Sequence, residues 1–148
     1  MQGTTRAKVI EVDFAARQRV LAPRETSVAR RPLAALQALS RSSTFLIFWR
    51  PRMRRTSGEY LGGRWDWGWT LFVWTSDAAV GSVKNDLVKG RGYLPERLTR
   101  DGFLTFLRRA ADVGGLLLDG ELDGDGHVIH AEPDQLIRRT DALSLLGR

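Results

Sequence analysis

Apolar positions along the chain follow two periods. In residues 44–49, TFLIFW, consecutive positions are apolar, which predicts a strand buried on both faces. In residues 64–75, RWDWGWTLFVWT, an extended chain sends Trp65, Trp67, Trp69, Leu71 and Val73 one way and Asp66, Gly68, Thr70, Phe72 and Trp74 the other. This is a second strand, expected to pair antiparallel with the first across a turn in residues 56–63. Ile10, Val12 and Phe14 alternate within VIEVDF, residues 9–14, and predict a short strand near the start. Two more short strands are read at residues 116–118 and 127–130, joined by an acidic loop.

Helical spacing fills the rest. Pro32 opens a short helix through Leu33, Leu36 and Leu39. Thr75 or Ser76 caps a helix over residues 77–89, with Val80, Val83 and Leu87 as its stripe and Gly90 as its stop; Gly81 weakens its interior. Thr99 caps the clearest helix, residues 99–113, whose apolar side is Phe103, Leu104, Phe106, Leu107, Ala110 and Ala111. Gly114 and Gly115 are read as its end. Pro133 opens a last helix with Leu136, Ile137 and Leu143 inward. No segment repeats. Strands, then helices, a hairpin and a helix predict an α+β fold: a Trp-rich antiparallel sheet packed by three to four helices.

The 148 residues suit one domain. Residues 32–148 are read as that domain, and residues 1–31 as a basic N-terminal segment carrying one short strand. The VIEVDF strand either completes the protein's own sheet or adds to the sheet edge of a partner. No apolar run approaches the ~18 residues of a membrane helix, and residues 1–14 lack the apolar stretch of a secretory signal. Cysteine is absent, which excludes disulfides, thiolate zinc sites and a cysteine nucleophile. The expected location is the cytoplasm, with no membrane partner.

Charge changes this picture. The net charge is +6, but residues 1–55 hold 12 Lys and Arg against 3 Asp and Glu, whereas residues 111–148 hold 3 against 8. A basic front and an acidic back predict one anion-seeking face. Of the 23 basic residues 20 are Arg, which forks onto phosphate and carboxylate and stacks on aromatic rings.

The densest combination is a basic run, Arg50, Arg52, Arg54 and Arg55, followed by Arg64, Trp65, Trp67 and Trp69. Aromatic platforms on a sheet beside a basic groove hold single-stranded nucleic acid, each stacked base contributing ~1–3 kcal/mol. Those eight residues are the expected binding residues, unless the tryptophans are simply core. Helix–turn–helix reading of duplex DNA has no support, because the turn between helices 77–89 and 99–113 is too long.

Two weaker constellations lie in the acidic rear. The segment from Asp119 to Gly126 has spacing similar to that of a calcium-binding EF-hand loop, but His130 stands where a bidentate glutamate is needed and Gly126 where an apolar residue is needed. His127 and His130, with Asp123, Asp125 and Glu132, offer metal-ligand chemistry, yet residues three apart on a strand point to opposite faces. No metal or cofactor is expected. The chain contains no G-x-S-x-G, no P-loop and no G-x-G-x-x-G after a strand.

The sequence thus predicts a non-enzymatic protein that binds nucleic acid, single-stranded by preference, or a nucleoprotein complex. The alternative is a small inhibitor or adaptor, such as a mobile-element anti-defence protein, whose arginines meet an acidic protein surface. A metal-dependent hydrolase built on the acidic loop comes third.

Overall fold

The computed structural model describes residues 31–51 and 58–147. The expected strand at 9–14, the N-terminal segment as a whole, and Arg52, Arg54 and Arg55 lie outside these residues.

The fold is α+β. Helix α1 (Leu33–Arg41) leads into β1 (Thr44–Pro51). Strands β2 (Gly58–Tyr60) and β3 (Gly62–Trp65) form one chain bent at Leu61. The first half pairs with β1, in the register Trp49 to Tyr60 and Arg50 to Glu59; the second pairs with β4 (Gly68–Val73), with Arg64 opposite Trp69. Leu61 joins the halves, donating to the Phe48 carbonyl at 2.9 Å and accepting from the Phe72 amide at 3.1 Å. Beyond β4, Trp74 and Leu46 exchange two backbone hydrogen bonds, so β1 and β4 also meet directly. The far edge of β1 carries β5 (Leu94–Thr99), and β4 continues through β6 (Val113–Leu118) to β9 (Leu136–Arg138). Short strands β7 (Glu121–Leu122) and β8 (Val128–His130) form a separate hairpin. The β4–β6 pair is parallel, so the sheet is mixed rather than purely antiparallel.

Two apolar clusters sandwich the sheet. Phe45, Ile47, Leu71, Val73, Leu116 and Leu118 face α1, α4 (Arg100–Arg109) and α5 (Arg139–Leu146). Leu46, Phe48, Phe72, Trp74 and Leu117 face the other way, toward Val80, Leu87, Tyr93 and Val128. The alternation in 44–49 and 71–74 is therefore that of strands buried on both sides, as expected. Hydrogen bonds from buried or half-buried side chains finish the helix ends. Arg100 donates to the Leu39 and Ser42 carbonyls after α1, and Arg139 donates to Leu107 at 2.8 Å and 3.0 Å at the end of α4.

Several expected elements differ. The strand read over 64–75 is broken by a hairpin at Asp66 and Trp67, after which Gly68 takes φ +104°, a conformation that favours glycine. Helix 77–89 is divided by Gly81, φ +80°, into single turns α2 (Asp77–Val80) and α3 (Val83–Asn85), then a widened turn (Asp86–Gly90). Strand β5 went unread because Pro95, Glu96 and Arg97 break its apolar pattern. Gly114 and Gly115 lie in β6 instead of ending a helix, because the Trp67 indole lies over them: a Cβ on Gly115 would stand 2.5 Å from that ring. Leu136 and Ile137 are strand residues paired with β6, and the last helix starts only at Arg139. The strands expected at 116–118 and 127–130 are present in β6 and β8, but they are not partners: β6 pairs with β4 and β9, and β8 pairs with β7 inside the acidic segment.

Candidate functional site

The tryptophans of residues 65–69 do not share a face. Trp69 packs with the helix-side cluster, whereas Trp65 and Trp67 pack with the opposite one. Trp67 is bound within the fold: its indole N–H donates to the buried Thr70 hydroxyl at 2.8 Å, and the Arg138 guanidinium lies 5.3 Å from the ring centroid. Trp65 stands beside it, centroids 6.2 Å apart.

Arg50 is likewise engaged. It pairs with Glu59, lies 4.7 Å from the centroid of the Tyr93 ring and donates to the Arg91 carbonyl at 3.3 Å. The remaining arginines of the run, Arg52, Arg54 and Arg55, belong to the connection between Pro51 and Gly58, which face each other at the open end of the β1–β2 pair. The β3–β4 hairpin tip lies at the other end of the bent β2–β3 chain, up to about 26 Å along eight extended residues.

The structure instead assembles an aromatic row on the helix side of the sheet. Trp49, at the end of β1, stands opposite Tyr60 of β2, with ring centroids 6.4 Å apart. Tyr60 meets the edge of Phe106 from α4 at 5.0 Å. Two residues on, Gly62 is covered by the Trp69 indole, whose nearest atoms would lie 3.0 Å from a Cβ there. Arg64, paired with Trp69 across the strands and exposed, closes the row. Trp49, Tyr60, Phe106 and Trp69 are each half-buried. Among the described residues Trp49 packs against neither buried cluster, and its β5 neighbour Leu94 is 50% exposed. Of the expected residues, the row keeps Trp69 and Arg64. Trp49, Tyr60, Phe106 and Leu94 were missed. The available signal was that Trp49 directly precedes the basic run.

Burial, and after it the Glu96 carboxylate, holds the Tyr60 phenol above its ordinary pKa. Glu96 thus brings one negative charge toward the row. Arg97 and Lys84 are occupied elsewhere. Both bind Asp77, and the Arg97 hydrogen bond is the main reason that carboxyl sits below its ordinary pKa.

In the acidic loop, ligand atoms of Asp123, Asp125 and His127 lie within 4.8 Å of one another. His130 is drawn away to Glu132, 3.0 Å distant. The loop is closed by its own bonds: the Asp123 carboxylate accepts the Asp125 and His127 amides at 2.9 Å and 3.0 Å, and Arg91 pairs with Asp125.

Comparison with protein-family models, with curated proteins and with solved structures finds no match for this chain. No helix of the described residues is long and apolar enough to cross a membrane.

Proposed function

We propose that this chain is a non-enzymatic, cytoplasmic binding protein. It holds single-stranded nucleic acid, alone or in a nucleoprotein complex, along the row from Trp49 through Tyr60 to Trp69. Arg64 and the run Arg52, Arg54 and Arg55 meet its phosphates. The observation that carries this reading is Trp49: a half-buried tryptophan outside both core clusters, at the root of a four-arginine segment. A tryptophan that adds little to the core leaves ring surface in water. Bases can use that surface only when they are unstacked, as in a single strand.

Leu94 favours a second reading. An exposed leucine beside Trp49 and Tyr60, near clustered arginines, also suits an acidic protein, since Trp, Tyr and Arg dominate interface hot spots. In that case the chain is an inhibitor or adaptor.

Fluorescence anisotropy with a labelled oligothymidine and with a duplex of equal length separates these readings. Tighter binding of the single strand supports the first. Absence of binding to either, with nuclease-resistant recovery of one acidic protein, supports the second and overturns the first.

A further inference from the structure

The reverse face of the β1–β2 pair carries an arrangement matched to the row. Strand β2 has only three residues and lies at the edge of its sheet. Pairing that short is marginal without support. Yet it has to hold Tyr60, its last residue, opposite Trp49. Directly behind this aromatic pair stands the next pair in the register, Arg50 and Glu59, whose side chains point to the other face.

Arg50 and Glu59 are ion-paired with both side chains 19% exposed, so their attraction is less screened than at an open surface. The guanidinium is held from a third direction. It lies over Tyr93, which is 2% exposed and anchored in the core, and it reaches the Arg91 carbonyl. The planar fork is suited to this combination, because one edge takes the carboxylate and a face takes the ring; a lysine ammonium cannot do both.

We propose that Arg50 and Glu59 form a clamp that presents Trp49 and Tyr60, a role that rests on the reading of the helix-side row as the binding face. Arg50 is then a positioning residue rather than the phosphate contact that its place in the basic run suggests. Its charge is met by Glu59, and its donors point away from the row. The consequence runs against simple electrostatics. Removing the Glu59 charge makes the protein more basic, which by itself favours nucleic acid, yet it releases the clamp.

The test uses full-length wild type, Glu59→Gln and Arg50→Lys, with two readouts. The first is affinity for labelled oligothymidine. The clamp predicts weaker binding by both variants, with the salt dependence close to wild type, because no phosphate contact is lost. The second needs no ligand: hydrogen exchange at the Leu61 amide, which is bonded to Phe48 beside the clamp. The clamp predicts severalfold faster exchange in both variants. Tighter binding by Glu59→Gln, wild-type affinity in Arg50→Lys, or unchanged exchange at Leu61 would overturn it. If wild type itself binds no oligothymidine, the nucleic-acid reading falls, and the exchange measurement still decides the clamp.

Discussion

Trp49 and Trp74 are close in the sheet and opposite in consequence. Trp74 is 1% exposed, its indole N–H donates to the Gly120 carbonyl at 3.0 Å, and Phe48 and Phe72 meet it edge-on. Trp74→Ala opens a cavity and orphans a carbonyl, for an expected loss of about 3–5 kcal/mol in a denaturant melt. Trp49→Ala removes a ring that lies outside both clusters, so its melt should stay near wild type. Its cost is expected in binding, ~1–3 kcal/mol for one stacked base. A large stability loss in Trp49→Ala, with binding retained, would return this residue to the core. Tyr60 gives a prediction in pH. Its folded pKa is raised, so its contribution is complete below the unfolded value near 10 and disappears as pH rises through the folded one. Stability should therefore fall on the alkaline side of about pH 10, and Tyr60→Phe should flatten that fall, measured by thermal melts between pH 9 and 11. At this scale the sequence was partly misleading. Trp49 ends a run apolar on both faces and so reads as core. Only the folded chain shows that burial lessens from Trp49 onward, although the strand is still paired on both sides there.

Among the elements, the unbroken hydrophobic pattern was the reliable guide, and β1 and the Thr99-capped helix follow it. The Thr99 hydroxyl accepts the Gly102 amide at 3.1 Å, and Thr99→Ala should cost about 1 kcal/mol. Alternation misled where it ran through a turn. Residues 64–75 alternate without a gap, yet the chain reverses at Asp66 and Trp67. The signal was Gly68, whose φ of +104° costs any other residue about 1–2 kcal/mol. Gly68→Ala should lower stability by that amount, whereas Gly90→Ala, in open space, should change little; equal melts would contradict the hairpin. Strand β5 and the β-character of Leu136 and Ile137 were not legible because both depend on partners remote in sequence. An edge strand carrying Pro95 and Arg97 looks like a loop until β1 supplies its ladder. The glycines of β6 were likewise read locally as a helix stop, when the requirement for them comes from Trp67, far earlier in the chain.

Across the whole molecule, the charge asymmetry is legible from composition, but which tryptophans share a face is not. Sequence adjacency joined the basic run to Trp65 and Trp67. The fold packs Trp65 and Trp67 on one side of the sheet and sets Trp69 on the other, the side of Tyr60 and Trp49. The central claim is that this row stacks bases while Arg64 and the basic run hold phosphates, two contributions that respond differently to salt. For a single strand, log K falls against log salt with a slope of about −0.7 per phosphate contact. The most direct test is one anisotropy salt series with oligothymidine on wild type, Trp49→Ala and the double variant Arg52→Glu, Arg54→Glu. The expected result is a steep slope for wild type, the same slope at lower affinity for Trp49→Ala, and a shallower slope for the double variant. Wild-type affinity in a folded Trp49→Ala, or an unchanged slope in the double variant, would contradict the account.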